Sequence, residues 1–283
     1  MTEELIKLFF DKEKYIALSK QTPKKNWNGQ HILLTHGTLS NRKVLNGIAD
    51  FLVKNNFTCW IFEWRNHGHS SKTKKAFNFE TIGKEDFKLV LNHLFQIEKI
   101  SKLHCITHSG GGICLSMALI HYPKYQSNIN SISMFGAQAF GAGLTFQNYS
   151  KVWLAKLVCK ILGFIPARKI GGEENESYYF MKQWFNWNLT GRFQGENGID
   201  YKEKMKTISP PILSIYGKGD TFIAPPKGCE LFLAAFNNDS NQSLFCSKEN
   251  GFAEDYNHGR ILHSRNASKE IYPVVLKWIK QHS

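Results

Sequence analysis

A chain of 283 residues, 42% of them hydrophobic, has room for one large domain with an insertion and too little for two full domains. The formal net charge of +13 raises nucleic acid or an anionic surface as partners, but the lysines are scattered, with Lys72-Thr-Lys-Lys75 the densest run. No block of about five or six like charges and no nucleic-acid fold signature argues for a dedicated site, so a solvated lysine-rich face is the plainer reading, with peripheral contact to anionic lipid or acidic metabolites left open.

In chain order, residues 6–10 and 15–20 flank Asp11-Lys-Glu-Lys14 and predict an antiparallel hairpin at a sheet edge. His31-Ile-Leu-Leu-Thr-His-Gly-Thr38 is a short apolar strand ending in His-Gly, and Thr58-Cys-Trp-Ile-Phe-Glu-Trp-Arg-Asn-His-Gly-His-Ser70 is another, running into a polar loop. Helical periodicity over 41–55, 81–98 and 110–122 alternates with these strands, which is the pattern of a mostly parallel twisted sheet with helices on both faces, an α/β fold. Further apolar strands fall at 132–135, 212–216 and 242–247, and a closing helix at about 267–281.

The most informative stretch is Leu103-His-Cys-Ile-Thr-His-Ser-Gly-Gly-Gly-Ile-Cys-Leu-Ser-Met-Ala-Leu119, where an apolar strand meets a lone serine, three glycines and an apolar helix. It reads as a nucleophile elbow presenting Ser109. A serine on so tight a turn needs small neighbours, and the turn lifts its hydroxyl out of the sheet. The usual Gly-x-Ser-x-Gly runs here as Thr107-His-Ser-Gly-Gly111, and by itself an ordinary β-turn-α junction would look the same. An oxyanion hole would take one backbone N–H from Gly110 and a second from Thr38, just after His36-Gly37.

With these three segments in this order the chain resembles the α/β-hydrolase superfamily. That family's loop Asp-x-Arg-Gly-x-Gly-x-Ser is matched by Glu63-Trp-Arg65-Asn-His-Gly68-His-Ser70 with two substitutions. The resemblance implies an acid after a late strand, which falls on Asp220 in Pro211-Ile-Leu-Ser-Ile-Tyr-Gly-Lys-Gly-Asp220, and a histidine after the last strand, which falls on His258. Ser, Asp, His is the chain order of that fold. The serine hydroxyl is too poor an acid to attack alone, so a neutral imidazole must take its proton, and a carboxylate must hold that imidazole and stabilise its charged form. His263 is the rival base, near the closing helix, and Asp239 and Asp255 are rival acids in polar turns. His258 on a polar loop and Asp220 directly after an apolar strand are preferred. His67-Gly-His69 lacks nearby ligands at metal spacing, so neither a metal nor another cofactor is expected. His36 and His108 are expected to bond loop backbones, His108 also being a candidate pocket residue.

Between the strands at 132–135 and 212–216 the chain leaves the alternation, and residues 137–207 are expected to form a helical cap inserted into a core of 1–136 and 208–283. The insertion carries 13 of the chain's 38 aromatic residues, a third of them in a quarter of the length. Residues 152–163 predict an amphipathic helix, and Trp184 and Trp187 are candidates for an apolar pocket wall. The reading is a serine hydrolase acting on a small-molecule carboxylic ester with an apolar acyl or alcohol group. Amidase or peptidase, thioesterase, carbon–carbon bond hydrolase and a non-catalytic ligand-binding protein are the alternatives. The oligomeric state is not legible. Six cysteines without a disulfide framework, an N-terminus without a signal pattern, and no apolar run near about 18 residues make cytoplasmic the expected location.

Overall fold

Alternation along the central strands divides the core in two. In β3 (His31–Thr35) and β4 (Thr58–Glu63) the side chains of Leu33, Trp60 and Phe62 join one apolar cluster, while Ile32, Leu34, Cys59 and Ile61 join another on the opposite face. A strand buried on both faces must be covered by helices on both. The computed structural model describes residues 1–283 and has eight strands in one sheet, the others being β1 (Thr2–Phe9), β2 (Tyr15–Thr22), β5 (Leu103–His108), β6 (Ile129–Phe135), β7 (Ile212–Gly217) and β8 (Gln242–Cys246). Their spatial order is β1-β2-β4-β3-β5-β6-β7-β8. From β4 onward every neighbouring pair is parallel, and only the β1–β2 and β2–β4 pairs are antiparallel. The expected edge hairpin is present, longer than its apolar run suggests, with Phe9 opposite Tyr15 and Thr2 opposite Thr22.

Helix α1 (Asn46–Lys54) covers one face together with the C-terminal helices, through Leu52, Val53, Val275 and Trp278. The helical run α2 (79–97) and α3 (Gly110–His121) cover the other. α3 is apolar all round and ten of its residues are buried, as befits a helix enclosed on every side. The single closing helix expected over 267–281 is two, α7 (Arg265–Glu270) and α8 (Tyr272–Gln281), because Pro273 has no N–H to continue the ladder. Between β7 and β8 lies α6 (Pro226–Ala234).

The segment between β6 and β7 holds α4 (Phe146–Leu162) and α5 (Tyr178–Thr190). α4 starts six residues before the expected position because Thr145 caps it, its hydroxyl accepting from the Asn148 N–H at 3.2 Å, and it stops at Gly163 in a left-handed turn. It turns most of its apolar side chains outward. Only Val152 and Cys159 are buried, while Trp153, Leu154, Leu157 and Ile161 face out. α5 is seated on α2, with the Gln183 amide accepting from Phe79 N–H and donating to Glu80, both at 3.0 Å. No helix is long and apolar enough to cross a membrane.

Candidate active site

β5 is buried along its whole length and delivers Ser109 at its C-terminal end with φ +52° and ψ −122°. A non-glycine residue at positive φ is held only where its surroundings over-determine it. Here the Ser109 N–H donates to the Phe135 carbonyl at 2.8 Å, and α3 begins at the next residue. Close approach dictates the glycines around it. A Cβ on Gly37 would lie 2.6 Å from the Ser109 Cβ, and one on Gly111 would lie 2.6 Å from the His36 carbonyl oxygen. Gly110 opens α3, so its N–H is among the first-turn amides that have no partner within the helix, at the positive end of the helix dipole. An anion beside Ser109 is therefore favoured.

Asp220 follows β7 and is almost fully buried. Its Oδ1 accepts from the Ile223 and Ala224 N–H groups, each at 3.1 Å, and its Oδ2 meets His258 Nδ1 at 2.6 Å. Burial would raise the pKa of this carboxyl, but the hydrogen bond and charge of His258 and the two backbone donors outweigh it and hold it below its ordinary value. With Nδ1–H donated to the carboxylate, Nε2 of His258 is left as the acceptor. The ring lies over Gly136, where a Cβ would come within 3.1 Å of it, and is tilted against the His108 ring with centroids 4.8 Å apart. His108 Nε2 bonds the His258 carbonyl at 3.1 Å, so the neighbour of Ser109 positions the loop that carries His258. Burial, followed by the nearby His258 charge, pulls His108 down to about 3 and keeps it neutral.

His263 and Asp239, the rivals of His258 and Asp220, are exposed, and the Asp255 carboxylate accepts from the Lys248 N–H. The Glu63-to-Ser70 loop is scaffold. The Arg65 guanidinium is buried against Asp86, and Glu63 Oε1 fills the space where a Gly68 side chain would stand. His67 bonds Glu176 at 2.9 Å and His69 bonds Glu63 at 2.8 Å, so each histidine is spoken for by a single carboxylate. His36 bonds the Gly37 carbonyl and accepts from the Trp64 N–H, matching its expected backbone role.

A cavity of about 340 Å³ opens at Ser109, and Thr38 and Gly110 line it with the serine. The rest of its wall is mainly apolar, from α4, α5 and the turn after Asp220. Trp184 lines it, but Trp187 and His108 do not. Trp187 packs edge-on against Phe79 and Phe193 and donates its indole N–H to the Gln194 carbonyl. The sequence reading missed Met181 on α5, and Phe222 and Ile223, which stand two and three positions after Asp220 and were an available signal.

A sequence model of the α/β-hydrolase fold matches residues 30–156, which include Ser109 and stop short of Asp220 and His258. No curated protein matches the sequence. Among solved structures, a monoacylglycerol lipase of Paleococcus ferrophilus superposes with TM-score 0.65 at 16% identity, over 95% of this chain and 99% of that one. A thermophilic esterase of Thermogutta terrifontis gives 0.64 at 14% over the whole of both chains, and a carboxylesterase structure from Nitrososphaera gargenis gives 0.67 at 13% over 98% of each. At such identities the likeness is one of fold.

Proposed function

We propose that this chain, which has the α/β-hydrolase fold, is a serine esterase working through an acyl-enzyme on Ser109. The observation that carries the reading is a strained serine opening into an apolar cavity at the N-terminus of α3, with a carboxylate–imidazole pair whose Nε2 is free to accept a proton. In the first step His258 takes the Ser109 proton as Oγ bonds to the ester carbon, and the carbonyl oxygen becomes an oxyanion facing the N–H groups of Gly110 and Thr38. Collapse breaks the bond to the alcohol, which leaves with the proton from His258. Water then repeats the sequence against the acyl-enzyme and frees the acid. Asp220 remains ionised throughout and stabilises the imidazolium, for which its depressed pKa suits it.

Residues 137–207 act in this reading as a cap over the cavity, with Trp184 in contact with the acyl or alcohol group. An apolar wall favours an apolar substrate. Six unpaired, buried cysteines support a cytoplasmic setting. Labelling with a fluorophosphonate probe and mass spectrometry tests the assignment. The adduct is expected on Ser109 and absent from Ser109→Ala, and a protein that stays unlabelled while folded would overturn it.

A further inference from the structure

Helix α4 carries its apolar side outward. Phe146 is 88% exposed, Ile161 75%, Leu154 55% and Trp153 54%, and Leu157 stands among them. At helical spacing these five fall within an arc of roughly 100° opposite the buried Val152 and Cys159. A large apolar stripe facing water marks an interaction surface. The stripe runs directly into the cavity. Val158, Leu162, Phe164 and Ile170 line the cavity and are themselves exposed, so its mouth opens onto the same apolar face. Along residues 137–172 the charge has one sign, and Glu173 and Glu174 stand beside Arg168 and Lys169 only at the end of that segment. Residues 137–172 contain no Asp or Glu, whereas Lys151, Lys160, Arg168 and Lys169 are exposed there.

We propose that α4 and the turn at 164–170 form a docking face for an anionic lipid bilayer. The stripe lies in the headgroup region, the basic residues meet the lipid charge, and an acyl chain enters the cavity directly from the bilayer. An aromatic and leucine face with a lysine-bearing rim is what an in-plane interfacial helix needs, and at 17 residues α4 lies on the surface without spanning it. A second copy of this chain is the poorer occupant, because a twofold contact through this face would set two basic rims against each other. Docking stands independently of the chemistry, and only the delivery of a lipid ester rests on the esterase reading.

The test is co-sedimentation of the full chain with phosphatidylcholine vesicles, with and without a minority of phosphatidylglycerol. Binding to the anionic vesicles is expected, weakening as salt is raised. Trp153→Ser, Leu154→Ser and Ile161→Ser combined should lower it at least tenfold while leaving hydrolysis of a soluble acetyl ester unchanged, since none of the three lines the cavity. Lys151→Gln and Lys160→Gln should each lower it about fivefold. Absence of wild-type binding to anionic vesicles at low salt overturns the proposal, as does undiminished binding by the triple variant or a dimer that the same three substitutions dissociate. Vesicle binding by a protein without any ester hydrolysis would retain the docking face and remove the esterase reading.

Discussion

His258 Nδ1 and Asp220 Oδ2 meet at 2.6 Å although 38 residues separate them, and the carboxylate is held in turn by two backbone N–H groups of its own loop. That chain of bonds sets the imidazole's tautomer and aims Nε2 away from the acid. The base prediction follows from it. His258→Ala should lower kcat/KM for a p-nitrophenyl ester by about 10⁴-fold or more, comparable with Ser109→Ala, whereas His263→Ala should keep most of its turnover. Rates of the three purified variants decide, and the reverse order for the two histidines would show that the wrong loop has been chosen.

The second prediction concerns the contact between Gly37 and Ser109. A methyl group at Gly37 would stand 2.6 Å from the Ser109 Cβ and 2.7 Å from the His108 carbonyl oxygen, and both belong to a turn with no slack. Gly37→Ala should therefore displace the nucleophile, and a displacement near 1 Å can cost on the order of a hundredfold in rate. The expected result is a folded protein with that loss in kcat and a slowed reaction with the fluorophosphonate probe. Unchanged kcat would mean that the β3 loop yields freely.

How far the sequence carries depends on the range of the cause. The elbow was legible because its requirements are local: an apolar strand, a serine and glycines within a few residues. Asp220 and His258 were named only through the family resemblance, and the mostly parallel sheet, which brings the ends of successive strands to one edge, is what puts the two side chains in contact. The orientation of α4 was not. Its apolar and polar residues alternate at helical period whichever way the helix turns, and only the structure assigns Val152 to the inside and Ile161 to the outside. The same holds for Trp184 and Trp187, three positions apart on α5, of which one meets the cavity and the other the core.

Those two tryptophans give the third prediction. Each added methylene of an acyl chain is worth about 0.8 kcal/mol, a few-fold in kcat/KM, while apolar wall remains to cover it. Activity should rise from acetate to medium-chain p-nitrophenyl esters. Trp184→Ala should flatten that rise without abolishing turnover, because Trp184 lines the cavity. Trp187→Ala should leave the profile unchanged and lower stability by about 3 kcal/mol, as for a large aromatic removed from a packed core. A flattened profile from Trp187→Ala and none from Trp184→Ala would contradict the placing of Trp184 on the cavity wall.

The last prediction rests on His67 and Glu176, which are buried together and joined at 2.9 Å between the β4 loop and the segment leading into α5. Burial would lower the His67 pKa, but the charge and hydrogen bond of Glu176, the Arg65 carbonyl bonded to Nδ1 and the more distant Glu174 outweigh it, and the imidazole titrates above its ordinary value. His36 faces the same ring, is pushed well down by burial, and stays neutral beside it. A histidine whose pKa rises on folding adds stability that is fully present below its unfolded pKa of about 6.5 and is lost as pH climbs through the folded value. Glu176→Gln keeps the shape and removes the charge, so it should cost about 3 kcal/mol in acid, where wild type holds the full ion pair. The cost should shrink as pH rises above about 6.5 and His67 loses its proton in both proteins. Thermal unfolding of both between pH 5 and 9 reads this directly, and a gap between their Tm values that stays constant or widens with pH would show that His67 is neutral in the folded protein.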